Sequence, residues 1–113
     1  MYKLEFLPIA KKDMEDIIYY VSNVLMNKKA ANALAKSFIS GANGILDFPY
    51  GSSVYNLNNL KYEYRSIKIK NFLMFYTINE RDKIVTIVRV LYQKVVFNFM
   101  TDTGILHMQY LDQ

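Results

Sequence analysis

Arg65 and Arg89 each stand among apolar neighbours, in segments that read as β-strands. A guanidinium held in such surroundings is costly unless it meets an anion. That anion is either a carboxylate of the same chain, with Glu63, Glu5 and Asp47 as candidates, or a group brought from outside, such as a phosphate or an acidic protein segment. Lys61, Lys68 and Lys70 alternate with Tyr62 and Tyr64 in the same region. Bases of single-stranded RNA stack on aromatic rings while lysines follow the backbone, so this is one chemistry that the spacing allows. A solvated edge strand that carries lysine to block aggregation is the other.

Other chemistries are poorly supplied. The chain has no cysteine, and its one histidine, His107, lies near the C-terminus. A thiolate site, a histidine-based metal site and a disulfide scaffold are therefore not expected, and no metal or cofactor is called for. With 113 residues, 52% of them apolar and 21% charged, the composition is that of one globular domain with a modest core. Net charge is +4 and the isoelectric point about 9.2, which favours an acidic partner, nucleic acid or protein. The first residues carry charges where a signal peptide needs an apolar core, and no run reaches the ~18 apolar residues of a membrane span. A cytoplasmic protein is expected.

The elements that must hold these residues follow from periodicity. Residues 2–7 alternate as a short strand, and Pro8 suits the first turn of a helix. Ala10, Met14, Ile17, Ile18, Val21 and Leu25 form one helical stripe, with Asp13, Glu15 and Asp16 placed early, where the helix dipole favours negative charge. After a break at 26–28, Ala31, Leu34, Ala35, Phe38, Ile39, Ala42, Ile45 and Leu46 mark a second helix that ends before Pro49. A polar loop reaches Asn59. Three strands follow, at 62–69, 72–78 and 84–92, joined by Lys70-Asn71, as a tight turn or a bulge, and by the loop 79–83. The order is β-α-α-β-β-β, an α+β domain with a helical hairpin packed on a small, mainly antiparallel sheet. Residues 95–100 are apolar without a clean period, Thr101-Asp-Thr-Gly reads as a turn, and 105–111 suits a strand or a short helix. This tail, 95–113, packs on the core, pairs with a second copy or frays.

Several motifs in fixed order resemble the RelE/ParE superfamily of type II toxins. They are the opening Tyr-Lys-Leu-Glu-Phe-Leu-Pro-x-Ala-x-x-Asp-Met, the Asp47-Phe-Pro49 that closes the helical pair, Tyr64-Arg65-x-Ile67-x-Ile69-x-Asn71-Phe-Leu-Met-Phe-Tyr76, and Ile87-Val-Arg89-Val-Leu-Tyr92. The likeness spans residues 1–94, with 95–113 as a divergent extension. It implies a toxin neutralised by a small, partly disordered antitoxin, whose acidic segment the positive charge suits.

The superfamily holds two biochemistries. RelE-like members cut mRNA in the ribosomal A site, using a base, an acid and cations that hold the developing charge. ParE-like members inhibit DNA gyrase without hydrolysis. If this chain were a nuclease, resemblance assigns catalysis to Arg65, Arg89 and Tyr92, with Lys61, Tyr64, Lys68, Lys70 and Lys94 as binding residues. Leu73, however, occupies a position where the nucleases commonly keep arginine, and Tyr92 one where several keep histidine. A phenol is a poor base near neutrality. The resemblance therefore leans to a ParE-like binder, with a degenerate nuclease and an inactive member as alternatives.

Overall fold

The computed structural model describes residues 1–55 and 63–96. The order is β1 (Lys3–Phe6), α1 (Pro8–Tyr19), one π-helical turn (Tyr20–Val24), α2 (Lys28–Ile45), β2 (Ser53–Tyr55), β3 (Tyr64–Ile69), β4 (Phe72–Asn79) and β5 (Ile84–Tyr92). The strands form one sheet in the order β1-β5-β4-β3-β2. All pairs are antiparallel except β1 with β5, where Lys3 faces Ile84 and Phe6 faces Ile87. The expected α+β arrangement is present, with two differences. The short β2 falls where a loop was expected, and three residues carry too little pattern to announce a strand without β3 beside them. The first helix begins at Pro8 as expected, but its first turn holds no acidic residue, Asp13 falling in the second.

Chain punctuation explains the helical hairpin. Leu7 is extended and still donates its N–H to the Ile87 carbonyl at 2.9 Å, while Pro8 opens α1 where no donor is needed. At the other end the backbone widens into the π-turn, Leu25 N–H reaching Tyr20 O at 2.9 Å. Met26 then takes φ of 54°, and Asn27 caps α2 by accepting from the Ala30 N–H at 3.0 Å.

One layer of the core lies between the helices and the sheet: Ala10, Leu34, Phe38, Ala42 and Ile45 against Ile69, Met74, Tyr76, Val85, Ile87 and Val90. Fully burying a side chain of this size contributes roughly 1.5–3 kcal/mol relative to leaving it in water. Phe38 meets Phe72 edge to face at 5.7 Å. The absence of a Cβ at Gly41 lets α2 approach β3, since an added Cβ would sit 2.5 Å from Ile69 Cδ1. Alternation along the strands sends Tyr64, Leu73, Phe75 and Val88 to the opposite face, with Val96 from the helical residues 93–96. Consecutive burial from Leu73 to Tyr76 shows β4 covered on both faces, as its unbroken apolar run requires.

Ile69 pairs with Phe72, which makes Lys70-Asn71 a two-residue hairpin turn and settles it against a bulge. Positive φ at Lys70 (54°) but not at Asn71 is the pattern of a type II′ turn, which favours glycine first. Lys70→Gly is expected to raise the unfolding free energy by about 1 kcal/mol, measured by urea denaturation. No helix among the described residues is long and apolar enough to cross a membrane. The expectations for Lys61, Tyr62, His107 and the tail beyond Val96 fall outside the described residues.

Candidate functional site

Arg89 owes its place to an irregularity in β5. Phe75 faces Arg89 but Tyr76 faces Ile87, which leaves Val88 as an extra residue in a β-bulge. In unbroken alternation Arg89 would share the core face of Val85 and Ile87. The bulge gives that place to Val90 and sets Arg89 where α1 passes the sheet. There its Nε and Nη2 donate to Asp13 Oδ2 and Oδ1 at 2.7 and 3.0 Å, a bidentate pair with both side chains largely buried. Asp13 Oδ2 also accepts the Val90 N–H at 3.0 Å. Because β1 pairs with β5 only as far as Ile87, this carboxylate serves an edge that no strand among the described residues covers.

Arg65 is also held internally, on the other side of β4. Its Nη1 donates to the carbonyls of Tyr50 and Ser52, both at 3.1 Å, and its Nη2 lies 3.2 Å from Glu63. The guanidinium stacks 5.0 Å above the Tyr50 ring. Opposite it in the ladder, Tyr76 donates to the Pro49 carbonyl at 2.6 Å and meets the Ser52 hydroxyl. Arg65 and Tyr76 together hold three carbonyls of the loop 46–52, which crosses from α2 to β2. Among the described residues, Arg65 Nε is buried without an acceptor. Among the three carboxylates considered from sequence, Glu63 pairs with Arg65. Arg89 takes Asp13 instead, which sequence reasoning had assigned to the helix dipole.

The remaining candidates among the described residues do not gather around these arginines. Tyr92 is half exposed at the end of β5, its ring 5.7 Å from Phe72. With Asn71, Gln93 and Lys94 it borders an open depression of about 260 Å3. Tyr92 lies three residues along the strand from Arg89, about 10 Å at the usual rise. Arg65 is separated from Arg89 by the whole of β4, again about 10 Å across two strand spacings. Lys68, Lys70 and Lys94 are exposed. Tyr64 is buried in the second apolar cluster and presents no stacking face to solvent, which overturns its place in a basic aromatic strip. Leu73 is buried beside it.

A larger polar cleft of about 470 Å3 opens beside Arg65, bordered by Tyr50, Glu63, Thr77, Asn79, Glu80 and Thr86. Glu80 Oε1 accepts from Tyr2 at 2.6 Å and from Tyr50 at 2.8 Å, and Oε2 pairs with Lys83. That carboxylate ties the β4–β5 loop to both the chain start and the loop 46–52. Its partners are 78 and 30 residues away, and no local pattern marks them. Lys12 is held above its usual pKa by its hydrogen bond to Asp16 and the Asp16 charge, on the solvent side of α1. Among the described residues no three His, Cys, Asp or Glu side chains stand together as metal ligands.

A family model described as the ParE toxin of the type II toxin–antitoxin system parDE matches residues 4–97. Among solved structures, the chromosomal ParDE toxin–antitoxin system from P. aeruginosa is similar at a TM-score of 0.65 and 16% identity, over 81% of this chain and 96% of that one. The archaeal RelE–RelB complex from Pyrococcus horikoshii OT3 is similar at 0.55 and 14%, over 81% and 94%. The toxin–antitoxin complex RelBE2 from Mycobacterium tuberculosis is similar at 0.55 and 16%, over 80% and 96%. No curated protein sequence gives a significant match. The structural likenesses carry the fold alone, and the fold is shared by both kinds of toxin system.

Proposed function

Because the chain belongs to the ParE toxin family of type II toxin–antitoxin systems, we propose that it arrests growth by binding a target such as DNA gyrase rather than by cutting RNA. One observation supports this reading above others: both arginines that a nuclease would aim at phosphate are spent on the chain's own groups. Arg89 is closed in a bidentate pair with Asp13, and Arg65 holds two backbone carbonyls and Glu63. Cleavage at a ribose 2′-OH needs a base, an acid and a free cation converging within about 3 Å of the reacting atoms. Here Tyr92 is about 10 Å along the strand from an arginine that is already neutralised. Leu73 adds an apolar, buried side chain where a transition-state cation is wanted.

A cognate antitoxin completes this reading, an acidic segment folding onto a chain of net charge +4. The test is direct. Purified protein added to DNA gyrase is expected to inhibit supercoiling of relaxed plasmid, while programmed ribosomes in its presence keep their mRNA intact. Unchanged supercoiling together with codon-spaced mRNA cuts would replace this function with the nuclease.

A further inference from the structure

The bend that joins α1 to α2 exposes a group of large apolar side chains. Tyr19, Tyr20, Val24, Leu25 and Met26 are each between 52% and 80% exposed. Ile17, Ile18 and Val21 of the same segment pack against the core layer, while these five stay more than half exposed. Large apolar side chains scattered singly need no explanation, but five within eight consecutive residues mark a contact surface.

The backbone presents this cluster firmly. The π-turn bond from Leu25 N–H to Tyr20 O and the bond from Asn27 N–H to Val21 O, at 2.9 and 3.0 Å, fix the turn. Met26 occupies a left-handed position where glycine would be free of strain, which holds a long apolar side chain at the apex. π-turns inside helices occur frequently at functional sites. Lys28 and Lys29 follow at once, both exposed, and Asn23 and Asn27 are the uncharged polar residues beside them. The tip is thus convex, apolar with two tyrosines, and rimmed by positive charge.

We propose that this tip, and not the strands carrying Arg65 and Arg89, is the surface with which the toxin grips its target protein. It would take an apolar cleft bordered by acidic side chains, the complement in shape and charge of the tip. Tyrosine is enriched among interface residues that dominate binding, and flanking lysines speed and orient encounter with an acidic rim. A lipid surface is less well matched, since durable anchoring takes a longer apolar face or a second signal than five side chains and two lysines supply. The inference rests on the reading of the chain as a binding toxin.

The experiment expresses the full chain in a bacterial host and compares it with Tyr20→Ser/Leu25→Ser and with Met26→Gly, which suits the left-handed backbone and guards against misfolding. Both variants should keep the circular dichroism and melting profile of a folded chain. The double variant should need at least tenfold more protein to arrest growth, Lys28→Glu/Lys29→Glu should also weaken arrest, and Ile39→Ser, exposed elsewhere on α2, should change nothing. Purified gyrase separates the two readings. Tip-dependent arrest with supercoiling untouched removes gyrase as the target and supports the tip. Full arrest by the folded double variant overturns the tip while leaving the gyrase reading standing. A wild-type dimer that the double variant converts to monomer, or tip-dependent sedimentation with phosphatidylglycerol–phosphatidylethanolamine vesicles, assigns the tip to another occupant and overturns it. A wild-type chain that arrests nothing overturns both readings.

Discussion

Asp13→Ala is expected to lower the unfolding free energy by about 3–5 kcal/mol, the usual cost of breaking a buried ion pair from one side. The carboxylate serves three donors at once, two on Arg89 and the N–H of Val90. Removing it leaves a guanidinium and a backbone N–H beside an apolar layer with nothing to accept from them. Domains of this size are stable by about 5–15 kcal/mol in all, so much of the reserve disappears. Replacing both partners, as Asp13→Leu with Arg89→Met, should recover part of the loss, since an apolar pair of similar volume often matches a buried salt bridge while the Val90 N–H stays without its acceptor. Guanidinium denaturation of the two single variants and the double variant measures this directly. A single variant within 1 kcal/mol of wild type (about a fivefold change in the folding equilibrium) would show Arg89 free for an outside anion and would reopen the phosphate-binding role.

Arg65→Ala is expected to cost about 3 kcal/mol, through loss of charge-assisted hydrogen bonds to the Tyr50 and Ser52 carbonyls. The consequences are local as well as global. The loop 46–52 keeps Tyr76 at Pro49 but loses its second anchor, so amide exchange at residues 50–53 should quicken before the sheet as a whole does. Arg65→Lys should recover little of this, because an ammonium on a flexible stem cannot span two carbonyls and Glu63 while keeping its place over the Tyr50 ring. Hydrogen exchange followed by mass spectrometry distinguishes the two effects. Equal protection of residues 50–53 in wild type and Arg65→Ala would remove the anchoring role.

Much of the architecture was legible from the residues. The α1 and α2 stripes, apart from Leu25 and Ile39, which stay exposed, and the apolar run of β4 follow a period that is local by nature, while Lys70-Asn71 suited a turn and a bulge alike. Ser53-Val54-Tyr55 was not legible, because a three-residue strand exists only through its pairing with β3. The arginines were legible as groups in want of an anion, but the choice of anion was not. Arg89 and Asp13 are 76 residues apart, and only the bulge at Val88 brings them face to face. Tyr64 misled for a related reason. It shares a parity with Lys68, yet one end of that face is buried in the second cluster and the other is open to solvent.

The parallel pairing of β1 with β5 sets a timetable for the newborn protein. Lys3 finds its partner at Ile84, 81 residues further along the chain. At about 5–20 residues per second, a ribosome needs roughly 4–16 s to supply that stretch. Until then the first strand has no neighbour, α1 has no β5 to lie on, and Asp13 has no arginine. Long-range closure of this kind also slows folding once synthesis is complete. The completed fold, and any toxicity that depends on it, therefore arrives late, and a message truncated before the codons for β5 yields a chain unable to close its sheet.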